Sequence, residues 1–320
     1  MTLVDIIYTY RKVNYIYDKF QYDYKSSKVN IGRIQSDRNR NLISINSFRD
    51  VEFQVFSQFG DDGIIQWLIN QLPVINKTFI EFGVEDYRES NTRFLLINNY
   101  WSGLVIDGDK KNVDLILSSK IASFYDLQAE HAFITRDNIN NLIGLAKFNH
   151  EIALLNIDID GNDYWVWESI TCINPVIVVC EYNGLFGFNN PYTIDYDAAF
   201  VRGNILPFNY YGSSLLSLCD LAKAKGYCFV GSNSAGNNAY FIRSDFMKYL
   251  SIPELSAEQG YTYPVFTEAL DRQGNFIRGL EKVKTLDGLK VYNTRLKSNE
   301  NINAQLTINS LVDARKINRF

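Results

Sequence analysis

Histidine is nearly missing from this chain: His131 and His150 are the two among 320 residues. That excludes a zinc site built from several imidazoles. A Ser-His-Asp triad would also lack the Gly-x-Ser-x-Gly elbow that usually accompanies it. The four cysteines, Cys172, Cys180, Cys219 and Cys228, form no Cys-x-x-Cys pair and lie in apolar stretches. They read as reduced, buried thiols of a cytoplasmic protein. Neither Gly-x-Gly-x-x-Gly nor a Gly-x-x-x-x-Gly-Lys-Ser/Thr run occurs, so nothing marks a phosphate cradle. No apolar run reaches the length of a membrane span. The N-terminus, with Asp5 and its tyrosines, lacks the apolar centre of a secretory signal. The net charge is −4, and Lys110-Lys111 is too short to be the basic stripe a nucleic-acid partner would need.

What is present suits a large folded core. Hydrophobic residues make up 46% and charged residues 21% of the sequence, which argues against global disorder. The length fits one large α/β domain with extensions. We divide it into an N-terminal helical extension (1–50), a core (51–250) and a C-terminal extension (251–320). Tyrosine and phenylalanine number 21 each. A thick core takes most of them, and aromatic-walled pockets are the other use. Leu3, Ile6, Ile7, Tyr10, Val13, Ile16, Tyr17 and Phe20 recur at helical spacing. That helix is expected to face its own core, with contact to a second copy in a homo-oligomer as the alternative. Its polar face lacks the basic bias of a membrane-surface helix. Residues 21–50 are polar and read as a linker or irregular arm.

From residue 51 the pattern tightens. Apolar strands are expected at 78–82, 103–106, 121–125, 152–157 and 175–180, with helical segments between them. Alternation of this kind, with continuously apolar strands, predicts a parallel sheet covered on both faces. A helix over 213–225 ends at Gly226, a C-cap residue. Two further runs, 227–231 and 239–243, flank a turn rich in Asn and Gly and read as an antiparallel hairpin at the sheet edge.

Ligands of open α/β sheets bind beyond the carboxyl ends of the strands, and here those ends are acidic. They read Glu81-Phe82-Gly83-Val84-Glu85-Asp86, Asp107-Gly108-Asp109, Asp158-Ile159-Asp160-Gly161-Asn162-Asp163 and Glu181-Tyr182-Asn183. Asp107, at the end of the second strand, is placed to accept hydrogen bonds from a ribose diol. Gly83 would let a cofactor approach the backbone. Acids repel a pyrophosphate, so a phosphate-free adenosine cofactor with a sulfonium cation, S-adenosylmethionine (SAM), fits better. Asp158, Asp160, Asp163, Glu181 and Asn183 also gather oxygen ligands suited to Mg²⁺. The alternative is that Asp160 to Asp163 form only a turn that caps the next helix.

The strand ends resemble FkbM-type and macrocin-type sugar O-methyltransferases. Glu81-Phe82-Gly83-Val84 is similar to the macrocin-type first SAM motif, Glu-x-Gly-Val. Ser57 to Gly63, Asp158 to Trp167 and Asn233 to Ala239 resemble segments of a bacterial FkbM-like subgroup, and together they cover about residues 55–245. The resemblance implies a Rossmann-like class I SAM methyltransferase fold with a mainly parallel seven-stranded sheet and helices on both faces. It implies methyl transfer from SAM to a sugar hydroxyl, in a capsule or other surface polysaccharide or its precursor. Mg²⁺ on Asp160 and Glu181 would grip the sugar diol, making Asp160 catalytic; Asn183, from the same cluster of oxygen donors, is the further candidate ligand. Asp163 stands where a related enzyme has its catalytic histidine, so the proton-accepting role falls to it. Gln58, Glu81, Gly83, Asn91, Asp107 and Asp158 would surround the cofactor. Tyr210 to Ser213 and Phe186 to Asn190 would wall the acceptor. Glu85 and Asp86 depart from the small residues of a Gly-rich SAM loop, which favours the rival reading of a non-catalytic sugar- or protein-binding protein. A dehydrogenase is disfavoured by the missing phosphate loop.

Overall fold

The structure, a computed structural model, describes residues 3–74, 76–146, 152–204, 208–266, 270 and 275–314. His150 and the side chains of Leu3, Ile6, Ile7, Tyr17 and Phe20 lie outside what it describes. The chain opens with α1 (Leu3–Arg40), followed by α2 (Asp61–Gln71), β1 (Thr78–Phe82), α3 (Arg93–Asn99) and β2 (Ser102–Asp107). Next come α4 (Lys110–Ser118), α5 (Lys120–Phe124), β3 (Leu127–His131), α6 (Ile139–Ile143), β4 (Leu154–Ile157), α7 (Asp163–Ser169) and β5 (Ile177–Glu181). After them lie β6 (Tyr192–Thr193), α8 (Leu215–Ala224), β7 (Tyr227–Ser232), β8 (Asn238–Arg243), β9 (Lys290–Asn293) and β10 (Ser298–Asn301).

Seven strands form one sheet in the order β3-β2-β1-β4-β5-β8-β7. β1 to β5 run parallel, and β8 lies antiparallel between β5 and β7. Counted within this sheet alone, the order is 3-2-1-4-5-7-6 with the seventh strand reversed. That is the Rossmann-like class I SAM methyltransferase fold. Strand periodicity sorts the core into two layers. Ile80, Phe82, Leu104, Ile106, Leu155, Ile157, Val178 and Cys180 face one side, where Ile139, Trp167 and Leu218 of α6, α7 and α8 cover them. Phe79, Val105, Leu154, Ile177 and Val179 face the other, against Ile64 and Trp67 of α2, Leu95 of α3 and Ile116 of α4. Burial on both faces is why the central strands read as unbroken apolar runs.

A second sheet, β10-β9-β6, joins chain from before α8 to chain near the C-terminus. Val283, Leu286, Val291, Ile302 and Leu311 are buried in the same layer as α7 and α8.

Two expectations are corrected. The N-terminal helix does not stop near residue 20. It continues to Arg40 through the expected arm, and Tyr8, Tyr10, Val13, Tyr15 and Ile16 are all exposed instead of packed on the core. Among its described side chains, the buried ones lie in its last turns, at Gly32, Ser36 and Asn39. The third strand is not 121–125. That segment is mostly α5, with Ile121 buried and Phe124 exposed, and the strand follows as Leu-Gln-Ala-Glu-His. At the sheet edge its residues alternate between buried and partly exposed, so no apolar run announces it.

The chain leaves β1 for β2 and β3 on one side and returns to β4 on the other. A crevice therefore opens at the carboxyl ends of β1 and β4, where the strand order reverses. Gly83 turns the chain there at φ +69°, and a Cβ built on it would lie 1.7 Å from the Asp158 carbonyl oxygen. Backbone crowding against β4, more than approach of a cofactor, is what requires glycine at this position. Gly83→Ala should cost about 3 kcal/mol or more of stability, read as a lower urea midpoint. Gly108→Ala should cost less than about 1 kcal/mol, since its Cβ would meet only the Phe133 ring, at 3.4 Å. Equal midpoints for the two variants would contradict this account.

Candidate functional site

Two adjoining cavities occupy the crevice. The larger, about 420 Å³, is lined by Gly83, Glu85, Ile106, Asp107, Phe133 and Ile134 on the β1–β3 side, and by Asp158 to Asp160, Phe200 and Arg202 on the other. The smaller, about 190 Å³, shares Gly83, Glu85, Asp158, Asp160 and Arg202 with it, and adds Gln58, Glu81, Glu89, Asn91, Glu181, Asn237 and Asn238. Among the described residues lining the two, Arg202 is the one base.

Asp107 is braced for its expected task. Its Oδ1 accepts from the Asp109 N–H at 2.8 Å and from Asn112 Nδ2 at 3.1 Å. Its Oδ2 accepts from the Glu85 N–H at 2.7 Å. A carboxylate oxygen can accept two bonds, so Oδ2 keeps capacity toward the larger cavity. Glu85, at φ +47°, thus belongs to a built turn. The acidic loop that departs from the Gly-rich pattern supports Asp107.

Glu81 reaches the smaller cavity, but its carboxylate is already occupied. It accepts from Ser90 Oγ at 2.6 Å, the Asn91 N–H at 2.9 Å, the Thr92 N–H at 3.2 Å and Asn156 Nδ2 at 3.2 Å, and closely from Thr92 Oγ1. Asn156 is its register partner across β1 and β4. Burial raises the Glu81 pKa, opposed by these donors. Glu81 therefore holds the 90–92 loop at the start of α3, and Asn91, whose Nδ2 donates to Asn156 at 2.9 Å, is held with it.

Asp163 and Asn183 are not where the sequence reading put them. Asp163 is fully buried and lines neither cavity. Its carboxylate accepts the Ile159 and Gly161 N–H groups at 2.9 Å each, closing the loop that it was expected to serve as a base. Asn183 turns away from the acids. Its Nδ2 donates to the Asn209 and Tyr211 carbonyls, and its Oδ1 accepts the Leu185 N–H. Tyr211 and Phe186 are likewise buried anchors and line neither cavity.

Asp158 joins Asp160 and Glu181 instead. One carboxylate oxygen from each lies within 4.8 Å of the other two. Glu181 is 7% exposed, and its buried Oε2 has no hydrogen-bond partner. Burial first, then repulsion from the neighbouring acids, pushes the Asp158 and Glu181 carboxyls well above the usual range, and Arg202 opposes this. Asp160 presents its carboxylate from a left-handed turn at φ +55° and pairs with Arg202. Three hard oxygen donors, one of them unpartnered, fit Mg²⁺ in number and chemistry.

Sequence reasoning missed Arg202, Glu89 and the pair Asn237-Asn238 as cavity residues. The asparagines lie in a motif already singled out. Arg202 had no signal in its local sequence. The loop that carries it closes over Gly161, where an added Cβ would strike Phe200 at 2.3 Å.

No protein-family model matches the chain, and no curated protein does. Among solved structures it is similar to the N-terminal domain of EvdMO1 with SAH bound, at 10% identity, 66% of this chain and 94% of that one, TM-score 0.38. It is similar to the O-methyltransferase from Bacillus cereus in complex with SAH, at 10% identity, 68% and 89% coverage, TM-score 0.35. It is also similar to the CurJ carbon methyltransferase, at 9% identity, 60% and 57% coverage, TM-score 0.39. Among the described residues no helix is long and apolar enough to cross a membrane.

The pH dependence of stability tests the assignment of Asp163. Burial, against the pull of the Ile159 and Gly161 N–H groups, pushes its carboxyl from 3.8 up to about 6. Between those values the folded chain holds a proton that the unfolded chain has released. The stability this group contributes therefore falls as pH rises through that window and is level above it. Asp163→Asn should flatten this part of a denaturation series run from about pH 4 to 7. An unchanged slope would mean that the titration belongs elsewhere.

Proposed function

We propose that this chain is a SAM-dependent O-methyltransferase acting on a sugar hydroxyl, in a surface polysaccharide or its precursor. The observation that carries the reading is the crevice at the strand-order reversal. A braced acid, Asp107, stands at the end of β2, there is no phosphate cradle, and a second, polar cavity adjoins the first. Asp107 would accept from the cofactor's ribose. Ile106, Phe133 and Ile134 offer its base an apolar wall. When bound, SAM supplies an electrophilic methyl group on a sulfonium, which an acid-lined crevice favours.

The smaller cavity suits a polyhydroxyl acceptor. Gln58, Asn91, Asn237 and Asn238 offer amides, and Asp158, Asp160 and Glu181 offer carboxylates, to ring hydroxyls. A general base is most effective with a pKa near the working pH. Asp158 and Glu181, both raised by burial and mutual repulsion, stand at the cavity wall, and we assign the acceptance of the hydroxyl proton to one of them. Asp160, Glu181 and Asp158 would hold Mg²⁺, which when bound polarises a coordinated hydroxyl. Alignment of acceptor and methyl in adjoining cavities would supply much of the rate.

Calorimetric titration with S-adenosylhomocysteine tests the reading. Micromolar binding is expected, weakened roughly 10- to 100-fold by Asp107→Ala, or about 1.4–2.8 kcal/mol. No heat from a folded sample would move the assignment to a non-catalytic binding protein on this fold.

A further inference from the structure

We propose that Arg202 is the resident cation of the acid cluster and that a divalent ion enters by displacing it. The inference rests on the metal part of the reading above, but its evidence is the arrangement of Arg202 itself. Three carboxylates stand within 4.8 Å of one another, and the Arg202 guanidinium pairs with Asp160. The arginine is not a loose surface charge, since its side chain is 15% exposed. Two further contacts would hold it even without Asp160. Its Nε donates to the Phe208 carbonyl at 2.9 Å, and its guanidinium lies 3.8 Å over the Tyr211 ring. It lines both cavities.

A guanidinium in this position does two things. It lowers the repulsion among acids that burial would otherwise force to stay protonated. It also opposes a second cation, because like charges in a partly dry cavity repel strongly. Glu181 Oε2, buried without a partner, is the ligand position that Arg202 leaves unfilled. The affinity of the site for Mg²⁺ or Mn²⁺ is therefore set by Arg202 as much as by the acids. The loop from Asp197 to Gly203 is the element that has to shift when the ion arrives.

Mn²⁺ binding, followed by calorimetry or by the loss of the free-ion paramagnetic resonance signal, reads this directly without turnover. Arg202→Ala should bind Mn²⁺ at least about 10-fold more tightly than the unmodified chain. The gain should vanish when Asp160→Asn or Glu181→Gln is added. Arg202→Gln, which can still reach the Phe208 carbonyl, repeats the test with less disturbance of the loop. Unchanged or weaker Mn²⁺ binding in a folded Arg202 variant overturns the proposal. S-adenosylhomocysteine titrated into the same samples separates the two ideas. Binding of that ligand together with indifferent Mn²⁺ affinity removes the role of Arg202 alone, whereas no binding by the unmodified chain removes the methyl-transfer reading.

A second observation stands apart from the crevice. From Leu3 to Ile34, α1 carries apolar or aromatic residues at alternating intervals of three and four, broken only at Ser27. A 3.5-residue period kept over this length is the mark of a helix wound on another helix. Among the described seam residues, the protein's own body does not supply the partner. Gly32, Ser36 and Asn39 face it, while the seam residues Ile31 and Ile34 are 59% and 69% exposed, and Tyr10 and Val13 are 65% and 56% exposed. We infer that α1 pairs in parallel with α1 of a second copy. By sequence, a parallel in-register pair sets the aspartate at heptad position g, residue 23, against the lysine at position e of the next heptad, residue 28, of the other copy, an attractive combination. The helix has 38 residues, about 57 Å at 1.5 Å per residue, which is long enough for a specific interface of about 1,000 Å² or more. Sedimentation equilibrium of the full chain over a concentration series reaching about 10 μM should rise to twice the chain mass. Val13→Asp with Ile31→Asp should give the single mass with an unchanged unfolding midpoint for the core. A monomeric unmodified chain, or a dimer that survives the double substitution, overturns it.

Discussion

Carboxylates gathered under and around the carboxyl ends of one parallel sheet set the terms for this protein. A buried carboxylate must be hydrogen-bonded, paired or protonated. Asp61 accepts from Asn233 and Asn238, and closely from the Tyr240 hydroxyl. Asp62 takes the Val55, Phe56 and Ser57 N–H groups on one oxygen. Glu81 fixes the loop before α3, Asp107 the loop after β1, and Asp163 the loop after β4. Each acid is thus the centre around which a loop at the crevice is shaped. Asp158, Asp160 and Glu181 are the ones without such a set of donors, and they lie together.

The same division explains how two sequence motifs cooperate. Ser57 to Gly63 and Asn233 to Ala239 are remote in sequence, yet Asp61 and Asn233, 172 positions apart, bond directly at 3.0 Å. Glu52 adds bonds to the Ser234 N–H and hydroxyl. Gly236 at φ +82° lets the turn press against the backbone of Thr262 to Pro264. With that junction fixed, Gln58 on one motif and Asn237 and Asn238 on the other line the same cavity. The acids of the first motif therefore place the amides without touching a ligand.

This is also why the fold was more legible than the site. Hydrophobic runs at 78–82, 103–106, 152–157 and 175–180 marked the four central strands because burial on both faces is written locally. The acidity of the strand ends was equally plain. What the sequence could not separate was an acid with donors from one without. The donors for Asp163 are backbone N–H groups, which every residue but proline carries. Those for Asp61 arrive from a remote hairpin. Asp163 and Asn183 looked like ligands by type and position, and only their hydrogen bonds show them turned inward. Asp158, read both as a cofactor residue and as one of the clustered oxygen donors, lies with Asp160 and Glu181. Arg202 comes from a connection with no motif, so its pairing with Asp160 is visible only once the chain is folded.

An acid without donors burdens the fold. Its raised pKa reports free energy lost when it ionises, and an apolar residue of similar size at Glu181 would fill the space at less cost. The hydrogen-bonded acids need no further explanation, because removing any one of them leaves several donors stranded. Glu181 stabilises nothing that the structure shows through Oε2. An arrangement that keeps such a group buried, brings two more acids to it, and braces one arginine against the three is poised for a positively charged or hydroxyl-bearing ligand. Stability and binding pull in opposite directions at this point, and it is there that the chemistry is expected.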